Sequence, residues 1–411
     1  MADVASLEVR LHGRIIGLIT RLPTDQNIFT FDSAYVDETE RPTLSLSFKD
    51  SYGALIANHR PTQTRLLPFF SNLLPEDPLR TYLAKRAQVK PEREFFLIRA
   101  LGRDLPGAVE IASGDDDSAP ADDEPTSRQI TDSASRVLRF SLAGVQLKFS
   151  AVQRAKGGLT IPMDGVGGSW IVKLPAERFA GLPENEFAMM ELARNIGINV
   201  PETQLIPIKE IQGLPPGVEI FGDHAFAIKR FDRAGDGAKI HMEDFAQVFG
   251  VYPGRKYDNA SYRNIAQVLW IETGEAGTAE FIRRLVFNAL IGNADMHLKN
   301  WSLIYPDTRT AQIAPAYDFV STVAFLPDEK MALSFVDAKA FASLTRDQFI
   351  RFANKVGLPE KATIDAVEET VSRFAEVWKR AGVRLDDKTH GAIERHLKSV
   401  PVWRGLEGRY R

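Results

Sequence analysis

The spacing of apolar residues changes near residue 240, and this change limits the possible folds more than any other feature. Residues 136–235 carry short apolar runs typical of strands, interrupted at about 184–197 by an amphipathic stretch that predicts a helix. From about residue 242 helical periods dominate, apart from strand-like stretches at 301–305 and 312–316. We therefore expect an α+β protein whose β-rich lobe precedes a mostly helical lobe.

A separate N-terminal unit comes before these two lobes. Alternating runs such as 7–11 and 44–48 predict strands, and residues 66–101 have patterns typical of partly buried helices. This unit lies outside the long helical lobe and contains neither of the two strand lysines, Lys173 and Lys229, that are discussed below. It is therefore expected to be a subdomain added to the two lobes.

Residues 112–128 are acidic, contain proline and have no apolar period. Such a segment cannot bury enough surface to offset its ordering entropy, which predicts a solvated linker or flexible loop. A calcium site is the alternative interpretation of its carboxylates, although their spacing does not match an EF-hand loop. The expected divisions are 1–111 (N-terminal subdomain), 112–128 (linker or loop), 129–235 (nucleotide-binding lobe) and 236–411 (helical catalytic lobe).

Composition narrows the class of protein. The 411 residues include 51 Lys and Arg and 54 Asp and Glu, so the formal net charge is −3, which argues against strong DNA binding by this chain alone. The chain has no cysteine, which excludes disulfides and thiolate sites and fits a reducing compartment. Neither a membrane span nor a secretory signal is evident. We expect a cytoplasmic protein without membrane contacts.

A polar cluster at 293–300 lies between a helix-like run and a strand-like run. Phosphoryl transfer needs an Asp to accept the proton of the attacking hydroxyl, an Asn or Asp to hold Mg²⁺, and cationic groups to neutralise charge. Asp295 and Asn300 are five residues apart, as in the catalytic loop of protein kinases, and Lys299 lies between them. His297 either orients this loop by hydrogen bonding or is a satisfied structural histidine.

A second acid, Asp318, follows a hairpin-like return 23 residues beyond Asp295. Asp318 and Phe319 resemble the start of the kinase Asp-Phe-Gly element, whose Asp binds Mg²⁺, with Val320 in place of the glycine. A loop Asp on its own more often makes a turn or a helix cap. Combined with the cluster at 293–300, it favours a magnesium site formed by Asn300 and Asp318.

If the helical lobe carries catalysis, the β-rich lobe should hold ATP. Its candidate phosphate loop, residues 140–150, has one glycine between apolar residues and matches neither a Gly-x-Gly-x-x-Gly nor a Walker A motif. A plain β-turn explains this segment equally well. The nucleotide-binding candidates in it are Ser141, Gly144, Gln146 and Lys148.

Two lysines end strand-like runs that resemble the kinase Val-Ala-Ile-Lys pattern, and their order distinguishes them. Lys173 precedes the predicted helix, which supplies Glu186 and Glu191, so Lys173 is the candidate phosphate lysine and Glu186 the better partner. Lys229 follows the helix, so the hinge is expected at Lys229 and Phe231. The alternative is that Glu186 only places a favourable charge in the first helical turn.

These segments, taken in order, resemble the HipA family of bacterial serine/threonine kinases, the toxins of HipBA-type toxin–antitoxin modules. The resemblance covers nearly the whole chain, and seven motifs in family order are strongly specific. The segments that carry it are 68–76, 101–108, 141–148, 184–187, 230–233, 295–300 and 317–318.

The family resemblance implies a bilobal protein-kinase-like fold and a role for each matched position. Asp295 would be the catalytic base, Asn300 and Asp318 the Mg²⁺ ligands, and Lys173 the lysine that binds the ATP phosphates. The main chain near Lys229 and Phe231 would contact the adenine. Tyr317, beside Asp318, is also expected in the nucleotide site.

The resemblance also implies regulation and partners. The family has an autophosphorylated serine that corresponds to Ser141, where a phosphate would add about −1.5 to −2 charges and oppose closure over ATP. The family's partner is a small helix-turn-helix antitoxin, HipB, which binds operator DNA. The substrates of the family's kinases are cytosolic translation components, notably aminoacyl-tRNA synthetases.

Two other classes of function stay open on the sequence alone. A small-molecule or lipid kinase uses a similar Asp-x-x-x-x-Asn loop with a distant metal Asp, but the first 110 or so residues then have no obvious task. A catalytically silent co-repressor acting with the antitoxin is the non-enzymatic alternative. The presence of Lys173, Asp295, Asn300 and Asp318 argues against it.

Overall fold

The structure, a computed structural model, describes most of the chain. It forms a five-stranded, a six-stranded and a three-stranded sheet within the described residues. The described ranges are 5–77, 79–114, 147–153, 158–161, 168–214, 220–235, 237–380 and 385–407.

The N-terminal subdomain is an antiparallel sheet of strand order β4-β3-β2-β1-β5 covered by short helices. Alternate residues of β1 point into its core, where Leu7, Val9 and Leu11 are buried, as the alternating pattern predicted. Its elements are β1 (Ala5–Leu11), β2 (Arg14–Arg21), β3 (Gln26–Phe31), α1 (Ser33–Asp37), β4 (Thr62–Gln63), α2 (Pro68–Leu73), α3 (Leu79–Arg86), α4 (Glu94–Leu101) and β5 (Val109–Ala112).

The strand predicted at 44–48 is wrong, because Leu46–Phe48 forms a short 3₁₀ helix. The side chain of Ser45 accepts a hydrogen bond from the backbone of Ser47 and caps this turn. The backbone N–H of Leu46 donates to the carboxylate of Glu243, about 200 residues further along the chain. The backbone of this segment thus bonds to the Ser45 cap and to Glu243, and not to the neighbouring strands that the alternating pattern predicted.

The second lobe is a six-stranded sheet of order β10-β7-β6-β8-β11-β9, with one helix packed against it. Gly197, at a φ of 90°, ends the helix in the left-handed conformation, as predicted. Buried Met189 and Leu192 of this helix pack into a core that also contains Phe226. The elements are β6 (Lys148–Gln153), β7 (Leu159–Thr160), β8 (Trp170–Lys173), α5 (Leu182–Asn195), β9 (Thr203–Pro207), β10 (Ile211–Gln212) and β11 (His224–Lys229).

The third unit is mostly helical and contains a small antiparallel sheet of order β12-β13-β14. The helices predicted at 261–272 and 278–292 join into one long element with a kink at Gly274, whose φ is 64°. The elements are β12 (His241–Asp244), α6 (Phe245–Val248), α7 (Tyr262–Ile291), β13 (Ser302–Tyr305), β14 (Gln312–Ile313), α8 (Arg346–Val356), α9 (Glu360–Lys379), α10 (Asp387–Leu397) and α11 (Pro401–Glu407).

A buried carboxylate joins the N-terminal subdomain to the helical lobe. Glu243 of β12 accepts hydrogen bonds from the Ser45 hydroxyl at 2.5 Å, the Leu46 backbone at 3.0 Å and the Tyr305 hydroxyl at 2.5 Å. Burial nevertheless raises the pKa of Glu243 to about 7. This part of the interface is therefore fixed by one acid that titrates near neutral pH.

A four-charge cluster, consisting of Asp104, Arg230, Asp232 and Arg233, joins the subdomain to the segment after β11. Both arginines contact both aspartates, and all four side chains are at most 7% exposed. Asp232 also accepts from the backbone of Gly107, whose φ is 74° and where an added Cβ would lie 2.8 Å from the Met242 backbone nitrogen. The subdomain is thus joined to both lobes.

Candidate active site

Lys173, at the end of β8, contacts two carboxylates from distant parts of the chain. Its ammonium group bonds to Glu186 of α5 and to Asp318, which follows β14. The side chains of Lys173 and Glu186 are 5% and 1% exposed, whereas that of Asp318 is 23% exposed. Lys173 and Glu186 belong to the β-rich lobe and Asp318 to the helical lobe, so the three residues span the cleft between the lobes. We call them the cleft triad.

The cleft triad stabilises charges that burial alone would oppose. Burial acts against the Lys173 cation, but the carboxylates of Asp318 and Glu186 outweigh it and raise the pKa of Lys173 above its usual range. Burial likewise opposes ionisation of Asp318, but Lys148 and Lys173 lower the pKa of this carboxyl well below its usual range. Lys173 and Asp318 are therefore both charged at neutral pH.

Asp318 has a left-handed backbone with a φ of 57°, which Asp and Asn tolerate better than most residues. The next residue, Phe319, is fully buried, and its ring lies 5.0 Å from that of Phe287 in α7. The backbone oxygen of Asp318 accepts from the Asn293 amide at 3.4 Å. This contact brings the Asp318 segment next to the polar cluster at 293–300.

Asp295 lies three residues beyond Gly292, which ends α7 at a φ of 66°. Its backbone is held on both sides, since its N–H donates to Asn293 Oδ1 at 3.0 Å and its oxygen accepts from Asn300 Nδ2 at 2.8 Å. Asp295 is exposed, and the Tyr257 hydroxyl donates to its Oδ1 at 2.5 Å. The arrangement holds an open carboxylate in one orientation.

His297 is buried, and burial lowers its pKa to about 4, so the ring is neutral at neutral pH. Its ring packs edge-on against Tyr257 with 5.0 Å between centroids. Within the described part of the chain, its Nδ1 has no hydrogen-bond partner. Packing against Tyr257 thus holds this ring, and a direct role in catalysis stays a prediction.

Lys299 does not join the cleft triad. Its ammonium group lies 3.1 Å from the carboxylate of Glu76 and donates to the backbone oxygen of Asn72 at 3.2 Å. Lys256 contacts the same carboxylate at 2.6 Å. The predicted contact of Lys299 with a transferred phosphate therefore stays a prediction, and the contact with Glu76 is one that sequence reasoning missed.

Of the two residues expected at the hinge, Phe231 lies beside Tyr317, and Lys229 lies beside Glu202. Lys229 ends β11 with an exposed side chain 3.5 Å from Glu202, so only its main chain turns toward the neighbouring strands. The ring of Phe231 lies 5.8 Å from that of Tyr317. The Tyr317 hydroxyl donates to the Lys299 backbone oxygen at 2.9 Å and thereby connects the predicted hinge segment to the segment 293–300.

Part of the predicted nucleotide site can be placed. Lys148 of β6 is about half exposed, and its ammonium group lies 3.5 Å from Asp318 Oδ2. Ser141, Gly144 and Gln146 lie outside the described residues, as does the acidic segment from residue 115 onward. In the described ranges, no group of three or more His, Asp or Glu could hold a metal ion. None of the helices in these ranges combines the length and the hydrophobicity that a membrane span requires.

Two family models cover most of the chain. The model described as HipA-like C-terminal domain matches residues 140–378, and that described as HipA N-terminal domain matches residues 7–112. The chain belongs to the HipA family of kinases. The family predicted from the seven motifs is therefore confirmed.

Two curated relatives match nearly the whole chain. The chain is 53% identical over 98% of its length to Putative kinase Y4dM of Sinorhizobium fredii, covering 99% of that protein. It is 25% identical over 97% of its length to the serine/threonine-protein kinase toxin HipA of Shewanella oneidensis, covering 94% of it. The relatives support the assignment of the chain as a kinase.

A solved structure supports the fold. A chain in the complex of Shewanella oneidensis HipA, HipB and operator DNA is similar with a TM-score of 0.70 and 22% identity, over 98% of this chain and 96% of that chain. At this level of identity the likeness concerns the fold. The predicted α+β, bilobal, kinase-like fold with an added N-terminal subdomain is confirmed.

Proposed function

We propose that this HipA-family kinase is an ATP- and Mg²⁺-dependent serine/threonine protein kinase and the toxin of a type II toxin–antitoxin module. One observation carries the proposal: the Lys173–Glu186 pair contacts Asp318, whose backbone is bonded to the loop that presents Asp295. Kinases need these groups together, because the lysine and the metal hold the phosphates while the base accepts a proton.

The residues present suit Mg²⁺–ATP. Mg²⁺ in such sites takes one or two protein ligands and completes its shell with phosphate oxygens and water. The Asp318 carboxylate and the Asn300 side-chain oxygen would be these ligands, since the Asn300 nitrogen already donates to the Asp295 backbone. ATP would supply the phosphoryl group, and Mg²⁺ would neutralise its charge.

Each remaining residue has one task in the proposed reaction. Lys173, oriented by Glu186, binds the phosphates, and Lys148 adds a second positive charge beside Asp318. The exposed carboxylate of Asp295 accepts the proton of a serine or threonine hydroxyl. The main chain at Lys229 and Phe231 receives the adenine, next to Tyr317.

The proposed partner is a HipB-like helix-turn-helix antitoxin, because the structurally similar Shewanella chain was solved with HipB and operator DNA. With a formal net charge of −3, this chain would reach operator DNA only through that partner. The proposed substrate is a cytosolic translation component such as an aminoacyl-tRNA synthetase. Phosphorylation of Ser141 by the kinase itself would inactivate it.

The test is transfer of radiolabelled phosphate from ATP to lysate proteins and to the kinase itself. The wild type should label protein and its own Ser141 only with Mg²⁺ present, and Asp295→Asn should slow both by about 100-fold or more. Asp258→Asn, which changes an exposed acid that contacts Arg255, is the matched control and should label normally.

Two outcomes would count against the proposal. An Asp295→Asn variant that labels itself at the wild-type rate would show that the base is assigned wrongly. Transfer to a metabolite but to no lysate protein would favour a small-molecule kinase.

A further inference from the structure

Glu76 of the N-terminal subdomain bridges two lysines of the helical lobe. Its Oε2 lies 2.6 Å from Lys256 Nζ, and its Oε1 lies 3.1 Å from Lys299 Nζ. The Lys299 ammonium group also donates to the backbone oxygen of Asn72. The last turn of α2 and the residues just after it therefore contact two separate segments of the helical lobe.

The first of these segments contains the proposed metal ligand. Lys299 directly precedes Asn300, whose amide donates to the backbone oxygen of Asp295 at 2.8 Å. The backbone oxygen of Lys299 accepts from the Tyr317 hydroxyl at 2.9 Å. A displacement of Lys299 would therefore change the positions of Asn300 and of the residue that precedes Asp318.

The second segment contacts the proposed base directly. Lys256 directly precedes Tyr257, whose hydroxyl donates to Asp295 Oδ1 at 2.5 Å. The backbone oxygen of Lys256 accepts from the Leu298 N–H at 3.2 Å, so this segment and the catalytic loop are also joined through the main chain. Tyr257, next to Lys256, thus holds the carboxylate of Asp295. Asn300, next to Lys299, holds its backbone. Both lysines bind Glu76.

The bridge is stronger than an ordinary surface ion pair. The side chains of Lys299 and Lys256 are 14% and 19% exposed, and that of Glu76 is 36% exposed, so solvent screens the contacts only in part. Although burial opposes it, the two lysines lower the pKa of Glu76 to about 2. Glu76 is therefore ionised throughout the pH range in which a kinase works.

We propose that Glu76 is a positioning residue for phosphoryl transfer, which sets the orientation of Asp295 and Asn300 through Lys256 and Lys299. The inference rests on the proposed kinase function. It makes the N-terminal subdomain part of the catalytic apparatus, in addition to any part it has in binding a partner.

The experiment compares Glu76→Gln with Glu110→Gln in the full chain. Glu110 is the matched control, because it also joins the subdomain to the rest of the chain by a lysine, Lys239 at 2.7 Å, but contacts neither catalytic segment. We would measure the maximal rate of phosphate transfer from radiolabelled ATP, to the protein itself and to water, and the ATP concentration that gives half this rate.

Glu76→Gln should lower the maximal rate by about 10- to 100-fold, because a misplaced base and metal ligand slow the chemical step. The ATP concentration for half-maximal rate should stay within about twofold of the wild type, since the cleft triad is intact. Glu76→Asp should recover part of the rate. Glu110→Gln should keep the wild-type rate, although it too removes an ion pair of the subdomain.

Lys256→Met provides a second test if Glu76→Gln does not fold. It should lower the maximal rate in the same way, and Glu76→Gln combined with Lys256→Met should lose less than the sum of the two single effects. Wild-type maximal rates in folded Glu76→Gln or Lys256→Met overturn the inference. A wild-type chain that transfers phosphate to neither protein nor water overturns the proposed function itself.

Discussion

The ammonium group of Lys173 contacts the carboxylate of Asp318, which follows it by 145 residues. The pair connects the end of β8 with the segment after β14, so it joins the β-rich and helical lobes across the cleft. Both groups are charged, because Asp318 and Glu186 stabilise the Lys173 cation against burial, while Lys148 and Lys173 stabilise the Asp318 carboxylate. Binding of a nucleotide with its metal would therefore have to exchange this contact for new ones.

Replacing Lys173 by Met should abolish phosphate transfer and also destabilise the chain. The change leaves the carboxylates of Glu186 and Asp318 without their shared cation, which we expect to lower the free energy of unfolding by about 3 kcal/mol. Transfer of radiolabelled phosphate from ATP and unfolding in urea would measure the two effects. The control is Lys209→Met, at an exposed position of the same lobe. Equal stability of the two variants would contradict the prediction.

Replacing Asp318 by Asn should remove the negative charge of this residue and keep its left-handed backbone conformation. Asn tolerates a φ of 57° as well as Asp does, so the backbone should keep its conformation, and Lys173 keeps its contact with Glu186. Because the variant lacks the carboxylate proposed to bind Mg²⁺, its transfer rate should fall by about 100-fold or more and should saturate only at higher Mg²⁺. Rates measured over a range of Mg²⁺ concentrations provide the test; a wild-type curve would rule out the role in metal binding.

The four-charge cluster should contribute far more to stability than an exposed ion pair. Asp232→Asn removes a carboxylate that contacts two buried guanidinium groups and the backbone of Gly107, and it should cost about 3 kcal/mol in urea unfolding. Glu202→Gln, which removes a pair about half exposed on both sides, should cost less than about 1 kcal/mol. Similar costs for the two variants would show that the cluster does not fix the interface.

Glu243 should make the stability of the wild type fall as the pH rises. Burial raises its folded pKa to about 7 from an ordinary value of 4.5, so between these values the folded chain binds more protons than the unfolded chain. The free energy of unfolding should therefore drop by about 2 kcal/mol between pH 5 and pH 8, relative to a Glu243→Gln variant that cannot titrate. A difference between the two proteins that does not change with pH would contradict this assignment.

Sequence patterns were sufficient where local chemistry fixes the structure. The helix that carries Glu186 and its end at Gly197 were predicted, because apolar spacing and a left-handed glycine act within a few residues. The order of the elements also distinguished Lys173 from Lys229 as the lysine that meets Glu186. The alternative acid of the same helix, Glu191, contacts Arg194 and Thr203 instead.

Contacts between segments that lie far apart in the chain could not be predicted from sequence patterns. Glu76 ends a motif that the family resemblance identified, but no periodicity relates it to Lys256 or Lys299, 180 and more residues away. The strand predicted at 44–48 was wrong for the same reason, because Glu243 supplies a hydrogen-bond acceptor that only the tertiary fold brings to Leu46. Tyr257 beside Asp295 was missed likewise, since a tyrosine in a loop has no spacing signature.

The hydrogen bonds that Glu243 accepts from Ser45 and Leu46 have a consequence for building chimeras. If the N-terminal subdomain were replaced by that of another HipA-family chain, the residues at positions 45 and 46 would change. Glu243 would stay, because it belongs to the host lobe. A graft that ignores this match would leave the buried carboxylate without the two donors of the subdomain, while the donor from Tyr305 of the host lobe stays in place. Recombination between such chains should therefore succeed only when strand β12 travels together with the N-terminal subdomain.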